Sequence, residues 1–79
     1  MKLTTRQLAH RTEQKLETLV PSHATNVTHN NTTGVKITVI MGGKVHEYAA
    51  GTSWTTCDMT IQKIARDYTA AKMGAFSGD

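Results

Sequence analysis

The chain has one cysteine, one proline and one tryptophan among 79 residues. A single thiol, Cys57, cannot form an internal disulfide, and it fits a reducing compartment, the cytoplasm, better than a secreted setting. It also leaves no second thiolate for a structural zinc site. Aromatic residues make up only 5% of the chain, and none alternates with the basic residues as stacking on single-stranded nucleic acid requires. Long apolar runs are missing too. Val39-Ile40-Met41 stands against the roughly 20 residues that a membrane span needs. The start, Met1-Lys2-Leu3-Thr4-Thr5-Arg6, turns polar at once, so no targeting segment and no membrane partner is expected. The triplets beginning at Asn26, Asn30 and Asn31 match the glycosylation acceptor pattern; without a secretory leader they read as polar loop.

Excess charge of one sign is also small. Nine Lys and Arg face six Asp and Glu, for a net +3. The basic residues never form a block, and acids interrupt them, as on ordinary solvated faces. A charge of this size mildly favours an acidic protein surface or nucleic acid as partner. The length fits one domain, spanning residues 1–79, whose thin core buries only about 60% of the unfolded surface.

Periodicity then gives the elements. A helix is expected from about Thr5 to Val20. Thr4 and Gln7 have capping-box spacing, Leu8, Thr12, Leu16, Leu19 and Val20 form one stripe, and Pro21 stops it. Residues 23–29 read as a short edge strand with little apolar alternation, followed by a loop over Asn30–Gly34. A hairpin follows. Val35, Ile37, Val39 and Met41 alternate with Lys36, Thr38 and Ile40, Gly42-Gly43 supplies a two-residue turn, and Val45–Ala50 returns. Pairing Met41 with Lys44 sets Val39 against His46, Ile37 against Tyr48 and Val35 against Ala50. This buries Val35, Ile37, Val39, Tyr48 and Ala50, and turns Ile40 and Val45 outward as an apolar pair. A last helix is expected from Thr56 to Met73, capped by Thr55, with Cys57, Ile61, Ile64, Ala65, Tyr68 and Ala71 as its stripe. Gly74 is a natural stop and residues 75–79 a loose tail on which Phe76 could fold back. The class is α+β, in the order α-β-β-β-α with the first strand the least marked. Both helices should pack on one face of a small antiparallel sheet.

From Ile37 to Ala71, the hairpin around Gly42-Gly43, the Gly51-Thr52-Ser53 turn and the long final helix together resemble the double-stranded RNA-binding domain fold. The resemblance is one of architecture. Where that family carries RNA-gripping lysines, this chain reads Trp54-Thr55-Thr56-Cys57-Asp58, so the resemblance implies the fold and assigns no RNA-contacting residue.

No constellation points to catalysis. Cys57 opens the last helix with His46 as a conceivable base, but it also opens the buried stripe, where a thiol acts as a small hydrophobe. His10, His23, His29 and His46 lack the helical spacing of a metal-ligand pair. No cofactor or metal is expected, and the glycines match no phosphate-binding pattern. Trp54, before the Thr55 cap, is expected to pack back onto Met59 as a hydrophobic staple.

The reading that remains is a non-catalytic protein-binding module, a small adaptor or inhibitor of the kind found among phage and mobile-element accessory proteins. Its candidate interface is Trp54, Ile40 and Val45. The alternative is nucleic-acid binding through Arg11, Lys15, Lys44, Lys63 and Arg66. A homodimer through the open sheet face or an edge strand is compatible with both.

Overall fold

The computed structural model describes residues 3–73; the expected stop at Gly74, the 75–79 tail and Phe76 lie outside the described residues. Helix α1 (Thr5–Leu16) is followed by a 3-10 turn (Ser22–Ala24), strands β1 (Thr25–Asn30), β2 (Gly34–Met41) and β3 (Lys44–Gly51), and helix α2 (Trp54–Lys72). The sheet is antiparallel in the order β1-β2-β3. The fold is thus α+β with the expected element order and an open three-stranded sheet.

α1 starts where the sequence places it. The Gln7 amide N–H donates to Thr4 Oγ1 at 3.1 Å, and the Gln7 side chain accepts from the Thr4 N–H at 2.9 Å. It ends earlier than expected, at Leu16 rather than Val20. The N–H groups of Thr18 and Leu19 bond the carbonyls of Lys15 and Leu16, three residues back, and the Thr18 hydroxyl also donates to the Lys15 carbonyl. This tightened turn rotates the chain. Val20 enters the core while Leu19, expected in the buried stripe, stands 49% exposed.

The expected strand over 23–29 is shifted. His23 and Ala24 belong to the 3-10 turn, and β1 begins at Thr25. The β2–β3 register is as expected from Met41↔Lys44 to Ile37↔Tyr48, but Val35 pairs with Gly51 instead of Ala50. Ala50 is an extra residue on β3, so the strand bends there and still turns Ala50 inward, fully buried. Gly34, with φ +87°, has the Gly51 backbone where a Cβ would stand, so only glycine lets the two strands close at this corner.

α2 is capped by Ser53, not Thr55: the Thr56 N–H donates to Ser53 Oγ at 3.3 Å. Cys57, Ile61 and Ile64 are fully buried, with Tyr68 and Ala71 packed beside them. They meet Leu8, Leu16, Val20, Val35, Ile37, Val39, Met41 and Ala50 in one core between the helices and the sheet's inner face. Thr12 is also buried there, and its Oγ1 has no hydrogen-bond partner.

Candidate functional site

Strand alternation that sends Ile37 and Val39 inward sends Ile40 outward, and antiparallel pairing sets Val45 opposite it. Both Gly42 and Gly43 have positive φ, at 58° and 77°, the geometry of a tight two-residue turn that holds the pair at the hairpin end. Ile40 is 51% and Val45 64% exposed. Beside them a shallow depression of about 180 Å³ is lined by His23, Ala24, Thr25, Asn26 and Thr38 together with the pair. Apart from Ala49, opposite Lys36, the rest of the outer face is polar. Asn26 faces Thr38 and Thr28 faces Lys36 across β1–β2, and Lys36 forms a 3.1 Å ion pair with Glu47. The result is a small apolar centre with a polar rim, the anatomy of a modest protein contact. Complete burial of each aliphatic side chain is worth about 1.5–3 kcal/mol.

Trp54 does not cap as a staple. It is the first residue of α2, half-buried against the core on one side. On the other side the Arg11 guanidinium lies 4.3 Å from the ring centroid and the Lys15 ammonium 5.7 Å. Lys15 also pairs with Asp58, which accepts a 3.0 Å hydrogen bond from Gln62. The Lys15 hydrogen bond holds the Asp58 carboxyl below its ordinary range; partial burial opposes this, while Gln62 and Arg11 add smaller contributions. Arg11 and Lys15 are therefore brought together, but as a clamp between the two helices. Met59 stands exposed on α2, 65% accessible. Lys63 and Arg66, three residues apart, share the solvent face of α2, and Lys44 stands at the hairpin tip; none of the three has an ion-pair partner among the described residues.

At the sheet margin the Tyr48 hydroxyl donates to Asp67 at 3.0 Å. Burial, and then the adjacent carboxylate, push the phenol up to about 12. Cys57 is fully buried in the core, out of reach of substrate. Among the described residues, no group of three or more His, Cys, Asp or Glu is placed to hold a metal ion, and no helix is long and apolar enough to cross a membrane.

His23, Asn26 and Thr38 are parts of the depression that sequence reading missed. The parity of Thr38 with Ile40 was legible. The β1 register that adds Asn26 was not, because β1 lacks apolar alternation. No family model, no curated protein and no solved structure matches this chain.

Proposed function

We propose that this domain is a non-catalytic protein-binding module, a stoichiometric adaptor or inhibitor, that contacts its partner through the outer sheet face centred on Ile40 and Val45. The observation that carries this reading is the exposure of two adjacent aliphatic side chains, 51% and 64%, at the edge of a polar-rimmed depression. A thin core has few apolar residues to spare, and a water-facing Ile–Val pair adds little to stability by itself. A small flat patch of this kind suits a modest interface rather than an enclosed substrate.

Phosphate contacts draw less support. Arg11 and Lys15 are engaged with Trp54 and Asp58, which leaves one pair, Lys63 and Arg66 on α2, and a single lysine, Lys44, at the hairpin tip. The deciding experiment is affinity capture from lysate of the source cells with the parent protein and with Val45→Glu. The expected result is a stoichiometric protein partner retained by the parent and lost by the variant, with both unfolding at similar denaturant. Recovery of nucleic acid alone, released by added salt, overturns the reading.

A further inference from the structure

The sheet has two edge strands, and they differ. β3 carries Lys44 and Glu47 and the bulge at Ala50. β1 reads Thr-Asn-Val-Thr-His-Asn, with no Lys, Arg, Asp or Glu, no proline and no bulge against β2. Charge, proline and bulges are the usual devices that keep a free edge from recruiting another strand. β1 has none of them.

The direction of its backbone groups follows from the hairpin. Across a two-residue turn, the flanking residues Met41 and Lys44 exchange hydrogen bonds. Hydrogen-bonding direction alternates along a strand, so Met41, Val39 and Ile37 bond toward β3, and Ile40, Thr38, Lys36 and Gly34 bond toward β1. The register pairs Thr38, Lys36 and Gly34 with Asn26, Thr28 and Asn30. Those three residues of β1 therefore bond inward to β2, and Thr25, Val27 and His29 direct their N–H and C=O groups to the open edge. The Thr25 N–H agrees, since it bonds the Ser22 carbonyl and not β2. The edge-directed groups of Val27 and His29 have no other partner among the described residues.

A second copy of the domain is a poor occupant for this edge. α1 packs over β1, and joined strands sit about 4.8 Å apart. A second copy would also bring its own α1 onto the same face of the joined sheet, where packed helices need about 8–10 Å. A bare strand brings no helix and fits.

Its chemistry is also constrained. Leu8, Thr12 and Leu16 of α1 face the core, and Arg11 and Lys15 face α2. Arg6, Glu13 and Glu17 are exposed on the side of α1 about half a turn round from that pair, the side away from α2. Charges of both signs stand there, and β1 itself carries none.

We propose that the β1 edge takes up an extended, uncharged peptide segment of a partner protein as a fourth, antiparallel strand. The segment sets a β-branched residue opposite Val27 on the helix side and small polar residues beside Asn26 and Thr28. The edge borders the Ile40–Val45 depression at Thr25 and Asn26, but its open backbone groups and Val27 lie outside that contact, and the proposal does not rest on it.

The test uses the full chain, isotope-labelled, and a blocked peptide copying residues 24–31, which is neutral and carries Thr and Val at the required spacing. In the protein alone, the Val27 and His29 amides exchange freely with solvent while those of Asn26 and Thr28 are protected. At saturating peptide, Val27 and His29 slow by about tenfold or more. His29→Pro removes an edge-directed N–H without touching the ladder to β2 and loses this protection. A peptide N-methylated at its valine fails to bind the parent protein, which keeps the test decisive if His29→Pro does not fold. Val45→Glu leaves peptide protection intact, separating this site from the outer-face contact. Unchanged Val27 and His29 amides at millimolar peptide overturn the proposal. So do equal protection by the N-methylated peptide and sedimentation as a dimer with both amides already protected.

Discussion

Ile37 and Ile40 lie in the same strand, three residues apart, with the same side chain and opposite surroundings. Ile37 is 0% exposed, locked between β1, β3 and the helices, while Ile40 is 51% exposed beside Val45. Side-chain chemistry alone does not decide whether a residue stabilises this domain. Strand parity does, because both helices lie on one face and leave the other bare. The inner face carries the fold, and the outer face is free to carry a contact.

The largest effect that tests this contrast is Ile37→Ala against Ile40→Ala. The buried truncation should cost about 2–5 kcal/mol in urea unfolding, enough to leave a domain this small marginal. The exposed one should change stability by no more than about 0.5 kcal/mol. Equal losses would mean that the outer face is part of the core and would end the contrast.

Thr12→Val sharpens the inner half of the comparison. The Thr12 hydroxyl is buried without a partner, and a valine of the same shape removes a polar group that costs about 1–3 kcal/mol when left unsatisfied. A rise in denaturation midpoint is expected; a fall would reveal a hydrogen bond made by that hydroxyl.

Smaller effects belong to the margins where helix and sheet meet. The Tyr48 phenol rises from 10.0 to about 12 in the folded chain, so folding favours its protonated form. That contribution is fully present below pH 10 and declines as pH rises toward about 12. Thermal melts across this range should show a steeper alkaline loss for the parent than for Tyr48→Phe; parallel curves would refute the link.

The smallest effect expected is at Asp58, whose lowered pKa has the opposite sign. Its contribution is present above the ordinary carboxylate value and is lost as pH falls through the lowered one. Asp58→Asn should flatten part of the acid limb of the melting curve. High salt should do the same in the parent, since the pair with Lys15 is exposed.

Much of this was legible residue by residue. The Cys57, Ile61 and Ile64 stripe marked α2, Thr4 and Gln7 marked the start of α1, and Gly42-Gly43 fixed most of the hairpin register. What escaped sequence reading depends on contacts between distant segments. Pro21 forbids helix at Val20 but does not say where α1 ends; Val20 turning into the core sets that end at Leu16. Ser53 and Thr55 are both good caps, and the turn after Gly51 selects Ser53. The Ala50 bulge follows from the close approach of Gly34 to Gly51. Arg11 and Lys15 read as free basic residues because nothing local shows Trp54 and Asp58 across the helix seam. In the candidate site, the outward Ile40–Val45 pair was readable from alternation, whereas its His23 and Asn26 rim was not.

Local periodicity in the chain was enough to specify two helices, a hairpin and which residues point in and out, because turn chemistry and the 3.6- and 2-residue repeats act over a few neighbours. Packing had to choose the helix end, the bulge, the fate of each surface cation and the unguarded edge of β1. Those depend on which segments meet in space, and closeness in space between residues far apart in the chain leaves no periodic trace in it.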